Sequence, residues 1–207
     1  MSKTLIVNCS LKATQNEALL KAVGKFSECK VVPFGNIQSE FQVDKNVDAV
    51  VLSGSAARIV SSSDRELFQA TINLIKTCYV PIFGICFGHQ LLCWTFGAKV
   101  ETLNQSVLDR FESVRIVEAD DLFAGFTKSQ TATLAESHYD YVLKESLKDA
   151  GFDLLADSES CEVEAVKHRR NPFYGVQFHP ERINVQGESQ LDGYRIIENF
   201  YGNVVKR

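Results

Sequence analysis

Short continuous apolar runs alternate with stretches of helical spacing through the first half of the chain. Residues 4–9, 30–34, 48–52 and 80–85 are apolar runs without the in-out alternation of a half-buried strand, the pattern of strands covered on both faces. Between them, apolar residues recur at helical spacing over 15–26 (Ala18, Leu19, Ala22, Val23, Phe26), 65–76 (Leu67, Phe68, Ile72, Ile75) and 89–96, the last closed by Gly97. Strands joined by crossover helices predict a parallel sheet. The second half is poorer in helix: residues 114–117, 130–134, 162–167 and 173–178 read as strands and 192–205 as a closing helix. The expected fold class is α/β. Its core is a three-layer, doubly wound, mostly parallel sheet with helices on both faces, flavodoxin-like in order. No repeat, low-complexity segment or linker-like shift divides the chain, so residues 1–207 are expected to form a single domain.

Composition narrows the class of function. With 45% hydrophobic and 23% charged residues, disorder is not expected. A net charge of −4 disfavours nucleic acid or an acidic membrane as a partner bound by charge. The longest apolar run, residues 79–87, is broken by Pro81 and Gly84 and is too short to span a bilayer. The six cysteines form no C-x-x-C pair and no secretory signal precedes them, so free thiols and a cytoplasmic location are expected.

The strongest local feature is Gly84-Ile85-Cys86-Phe87-Gly88. A buried strand meets a helix at a cysteine, with glycine two residues before and two after. This is the nucleophile-elbow pattern with sulfur in place of oxygen. The turn is so tight that flanking side chains would collide, and it leaves the nucleophile above the carboxyl edge of the sheet, where open α/β sheets bind ligands. The positive end of a helix and a neighbouring imidazolium both favour a thiolate. Cys9, Cys29, Cys78, Cys93 and Cys161 read as buried structural cysteines.

A cysteine nucleophile needs a base, and the base an orienting group. Of the four histidines, His89 sits one helical turn past Cys86 and reads as helix packing. His168 lies in the polar turn His168-Arg169-Arg170-Asn171-Pro172 and is expected to be solvated. His179 ends a strand, with Pro180 fixing the backbone and Glu181 next, so imidazole and carboxylate can come from one rigid corner.

With both motifs in hand, GICFGHQ and QFHPE, the chain resembles the class I, triad-type glutamine amidotransferases from its first strand to its last helix. The resemblance implies that Cys86 attacks the glutamine side-chain amide and that His179 and Glu181 complete a catalytic triad. Leu52-Ser53-Gly54-Ser55 resembles the family's oxyanion loop, L-S-G-G-P, which implies an oxyanion hole made by the backbone N–H groups of Gly54 and Phe87. Glu136-Ser137-His138-Tyr139-Asp140-Tyr141-Val142 resembles S-H-x-D-x-V, the form of the GMP synthase branch. It implies that Gln90 and the segment Ser137, His138 and Tyr139 hold the ends of the substrate. No cofactor and no metal are implied, and the histidines and cysteines lack metal-ligand spacing.

Two departures bear on the same region. Ser55 and Ala56 stand where the family has glycine and proline, and Ser55 is expected to block a backbone flip to positive φ or to hold the loop in another state. The family's glutamate–aromatic–glycine segment is here Asp109-Arg110-Phe111, without its glycine. No ATP-pyrophosphatase loop or P-loop is present. The leading expectation is therefore a glutaminase subunit, GMP-synthase-like, serving a separate ATP-dependent synthetase subunit. The alternatives are a stand-alone hydrolase of a γ-glutamyl amide and a catalytically silent regulatory module.

Overall fold

The computed structural model describes residues 1–12, 16–119, 121–128 and 130–205. The strands are β1 (Ser2–Asn8), β2 (Ser27–Pro33), β3 (Ala49–Leu52), β4 (Ile82–Ile85), β5 (Val100–Ile116), β6 (Thr131–Val142), β7 (Phe152–Asp157), β8 (Ala165–His168) and β9 (Phe173–Val176), followed by a small hairpin of β10 (Asn184–Val185) and β11 (Glu188–Ser189). The helices are α1 (Glu17–Val23), α2 (Ser62–Leu67), α3 (Gln69–Thr77), α4 (Phe87–Thr95), α5 (Leu147–Ala150) and α6 (Asp192–Asn199).

One nine-stranded sheet runs in the order β2-β1-β3-β4-β9-β8-β7-β5-β6. The first five strands in that order pair in parallel, and the ladders from β9 through β8, β7 and β5 to β6 are antiparallel. The α/β class stands, with a sheet that is mixed: a parallel half carrying crossover helices and an antiparallel half carrying few.

The continuous apolar runs are explained by two cores, one on each face. Leu5, Val7, Val50, Leu52 and Ile82 point into the layer of α3 and α4, whereas Ile6, Ala49, Val51, Phe83 and Ile85 point into the layer of α1 and α6. Because successive strand residues face opposite ways, each central strand must be apolar throughout. Helix α4 is buried from Phe87 to Cys93, as expected of a helix without a polar face.

Several boundaries differ from expectation. The helix predicted from residue 15 begins at Glu17, and Gln15 lies outside the described residues. The single helix expected over 65–76 is two helices meeting at Phe68, which caps the first and is fully buried. Strand β7 had no counterpart in the sequence reading, and β5 and β6 are far longer than their apolar centres. The closing helix continues past Asn199 as a wider π-helical segment, Phe200–Val205, with consecutive Phe200 and Tyr201 both buried. His168, expected in solvent, is buried at the end of β8, its ring against Phe96, Phe152 and Phe173. Its Nδ1 accepts from the backbone N–H of Arg170 and Asn171 at 3.2 and 3.0 Å, so the polar turn folds back over the ring. Cys9, Cys93 and Cys161 are buried as expected, while Cys29 and Cys78 are only half-buried.

The antiparallel half curls. Just past β9, the His179 N–H bonds to the Ala135 carbonyl of β6 at 2.8 Å, although β8, β7 and β5 lie between those strands in the sheet. The curl brings the far edge of the sheet over the carboxyl end of β4.

Candidate active site

Cys86 follows β4 directly and caps the N-terminus of α4. Its φ of 50° and ψ of −106° are unusual for a residue with a side chain and typical of strain retained at a functional turn. The two glycines around it are required by space. A methyl on Gly84 would lie 2.6 Å from the Gly88 carbonyl oxygen, and one on Gly88 would collide with the Leu52 backbone of the neighbouring strand. The backbone is anchored on both sides: Cys86 N–H donates to Val176 on β9 at 2.8 Å, and the Gln90 N–H donates to the Cys86 carbonyl at 3.1 Å.

His179 stands beside this elbow. A methyl placed on Gly54 would lie 3.0 Å from His179 Cε1 and 3.7 Å from Cys86 Cβ, so both side chains press against the same glycine. Glu181 Oε1 lies 2.9 Å from His179 Nδ1, which directs the other ring nitrogen away from the carboxylate. Burial alone would lower the basicity of His179, but the charges of Glu181 and Cys86 outweigh it and raise its pKa to about 10. At neutral pH the ring is an imidazolium, a counter-charge for a thiolate.

Around the sulfur, the Gln177 amide nitrogen lies 3.6 Å from Sγ, and the Ser137 carbonyl oxygen lies 3.7 Å from it. Gln90 Nε2 donates to Gln177 Oε1 at 3.0 Å and to the Asp140 carbonyl at 2.7 Å, tying α4 to β6 and to the segment that carries His179. A cleft of about 430 Å³ opens over these groups. One wall is the loop Ser55–Arg58, another the row Ser137–Asp140 of β6, and Cys86, Gln90 and His179 form the floor. The size suits a small-molecule substrate.

The structure thus brings together Cys86, Gln90, Ser137, His138, Tyr139 and His179 around one cleft, with Gly54 and Glu181 in contact with His179. Phe87 has a buried side chain, and its N–H is one of the first-turn donors of α4 that no helical carbonyl can reach. Neither Gly54 nor Ser55 has positive φ, and the Ser55 hydroxyl accepts from the Ala57 N–H at 3.0 Å, closing a local turn. At the other departure, Asp109 itself adopts φ of 47°, so an aspartate takes a conformation usually left to glycine. It sits where the β5–β6 register shifts, and Arg182 Nη2 and Gln186 Nε2 both bond to it.

Sequence reasoning missed four neighbours. Gln177 was within its reach, since a residue two positions before His179 on an extended chain shares its face. Arg58 follows the Gly54 loop and lies on the cleft wall, forked onto the buried Asp140 carboxylate and bonded to Thr102 Oγ1 at 2.7 Å. Glu136 and Glu164 are buried behind that wall. Along β6 Ala132, Leu134, Glu136, His138, Asp140 and Val142 are buried at alternate positions, with Ala135 buried as well, and hydropathy hides this row because its middle members are polar.

The model for "Glutamine amidotransferase class-I" matches residues 6–201. The chain is 34% identical over 181 residues to a glutamine-hydrolyzing GMP synthase subunit of Methanocaldococcus jannaschii, covering 87% of this chain and 86% of that one. It is 40% identical over 130 residues to the corresponding GMP synthase subunit of Methanothermobacter thermautotrophicus, covering 63% of this chain and 64% of that protein's length. A crystal structure of a Thermoplasma acidophilum protein, described as a GMP synthase subunit, superposes with a TM-score of 0.80 at 27% identity, covering 98% of this chain and 93% of the other.

Proposed function

The chain belongs to the class I glutamine amidotransferases, and from that premise we propose that it hydrolyses the side-chain amide of glutamine through a thioester on Cys86, releasing glutamate and ammonia for a separate synthetase subunit. The observation that carries this reading is the packing of Cys86 and His179 against one glycine, with Glu181 bonded to the far side of the imidazole.

In this reading the Cys86 thiolate, formed by transfer of its proton to His179, attacks the amide carbon of glutamine. The carbonyl electrons move to oxygen, and in this reading the N–H groups of Phe87 and Gly54 receive that oxyanion. Loss of one such donor typically costs about 10²–10³ in rate. His179 returns its proton to the departing nitrogen, and ammonia leaves as the C–N bond breaks. Water, with its proton taken by His179, then cleaves the thioester to glutamate and free Cys86. Gln90 and the row Ser137–Tyr139 hold the α-amino and α-carboxylate ends. Relatives named as glutamine-hydrolyzing subunits of GMP synthase support a separate ATP-dependent partner that consumes the ammonia, with purine nucleotide synthesis as its setting.

The test is release of glutamate from glutamine by the purified chain, with and without a candidate synthetase. Cys86→Ala should lower the rate at least about 10³-fold. Activity surviving in that variant removes Cys86 as nucleophile. A large preference for γ-glutamyl dipeptides over glutamine replaces the glutaminase reading with that of a hydrolase.

A further inference from the structure

Inside the curl of the antiparallel half lie two acids that the hydrolysis does not use. Glu136 on β6 and Glu164, just before β8, are both fully buried, and each carboxyl bears directly on the titration of the other. Two neighbouring carboxyl groups without water cannot both ionise cheaply, so one of them keeps a proton. The surroundings favour retaining it. The titratable groups facing the pair are Glu112 from β5, Asp157 from β7, Cys161 before β8, Cys86 from the elbow and His138 from β6 itself; apart from His138 all are acids. The nearby cation Arg110, in register opposite Glu136, is bonded to Glu112 instead.

The neighbouring groups locate that proton. His138 Nδ1 lies 3.0 Å from the Asp140 carbonyl oxygen, which only accepts, so Nδ1 carries a hydrogen. Burial lowers the pKa of His138 to about 4, so the ring is neutral and its Nε2 is a lone pair. Glu136 Oε2 faces that nitrogen at 3.5 Å. Oxygen and nitrogen lone pairs repel unless a hydrogen lies between them. Glu164 Oε1 accepts from the Ser158 hydroxyl at 2.7 Å, a bond that makes Glu164 the easier of the two to ionise. Among the described residues, no N–H or hydroxyl donor reaches either oxygen of Glu136.

We propose that Glu136 is a positioning residue that works as a neutral acid, its proton directed at His138 Nε2 and Glu164 being the member of the pair that ionises, which keeps a carboxyl behind the cleft wall uncharged. Burial, then the charge of Glu164, raises the Glu136 carboxyl well above the usual range. Ser137, the next residue, turns its carbonyl to Cys86 Sγ, and His138, two residues on, lines the cleft. An ionised Glu136 would oppose the thiolate from behind this wall and draw a proton onto His138. The consequence for rate rests on the glutaminase reading; the protonation state does not.

The test is infrared spectroscopy of the full chain, compared among wild type, Glu136→Gln and Glu164→Gln, with the kcat–pH profile of each. At about pH 9, where both exposed glutamates and Glu164 are ionised, wild type should retain the carbonyl stretch of a protonated carboxylic acid. Glu136→Gln should lose that band and Glu164→Gln should keep it. On the alkaline limb, Glu136→Gln should retain more of its maximal kcat than wild type by at least about threefold, half a pKa unit of relief. Absence of the band in wild type, its loss in Glu164→Gln alone, or superimposable alkaline limbs overturns the proposal. Glu164→Gln keeps the spectroscopic test open if Glu136→Gln does not fold. A failure of the glutaminase reading is separately visible as activity remaining in Cys86→Ala, which leaves the band in place.

Discussion

Two histidine–glutamate pairs stand at the same cleft and carry opposite charge states. In the first, His179 Nδ1 and Glu181 Oε1 are 2.9 Å apart, and the imidazole is held protonated up to about pH 10. In the second, His138 Nε2 and Glu136 Oε2 are 3.5 Å apart, the imidazole is neutral down to about pH 4, and the carboxyl is pushed up. Residue types and spacing are alike; the neighbours differ. His179 has a second anion source in Cys86, and Glu181 retains 10% side-chain exposure to help solvate its charge. Glu136 has no exposure and a second carboxyl beside it, so ionisation is opposed both by lost hydration and by like charge. The contrast shows that a His–Glu contact is not by itself an ion pair. The groups around it decide which proton is present.

The comparison can be broken from either side. The largest effect is expected for Glu181→Gln, which removes the charge that keeps His179 protonated while preserving shape. kcat should fall by about 10²–10⁴. The alkaline inflection of the His179 ring-proton NMR shifts, expected near pH 10 in wild type, should move to lower pH, because an unpaired buried imidazolium gives up its proton more readily. An inflection that stays in place would show that Cys86 alone sustains the imidazolium.

The second prediction concerns stability. Burial raises the pKa of Glu164 to about 7, from an ordinary value of 4.5. The unfolded chain sheds this proton first, so the folded state binds more protons between those values, and stability falls as pH rises through that window. The loss is on the order of 3 kcal/mol. It is read as a drop in the urea midpoint, and Glu164→Gln should flatten it. A midpoint that rises with pH over the same range would contradict a protonated pair. The smallest effect is expected for His138→Gln, which trades one cleft hydrogen bond and should raise KM for glutamine about fivefold at nearly constant kcat. A fall in kcat with unchanged KM would move His138 from the wall into the chemistry.

Much of the first pair was legible in the sequence. Glycine spacing around Cys86 and the proline between His179 and Glu181 are local constraints, and local constraints survive without the fold. The same holds for β1, β3, β4 and β9, whose apolar runs report burial on both faces. The second pair was not legible, because it depends on the curl that brings β6 over the elbow and Glu164 beneath it. No short pattern encodes a bond such as that between His179 and Ala135. Strand β7 (Phe152–Asp157) hid behind its two aspartates, Asp153 and Asp157, and β5 behind a polar sequence that pairs through backbone at a bulged ladder. His168 was misread because Arg169 and Arg170 beside it are polar, whereas aromatic rings from α4's end, β7 and β9 enclose the histidine itself. In 131–142, polar Glu136, His138 and Asp140 face inward while Tyr139 is exposed, so hydropathy there points to the wrong face.

Strand β9 occupies the middle of the sheet, between β4 and β8, yet is the last of the nine to be synthesised. A nascent chain emerging from the ribosome therefore carries two half-sheets, each with a raw edge, until the central strand arrives and joins them. The same strand leads directly toward His179, the proposed catalytic base. Assembly of the scaffold and arrival of its chemistry are thus a single late event, and truncated products should be unable to capture substrate.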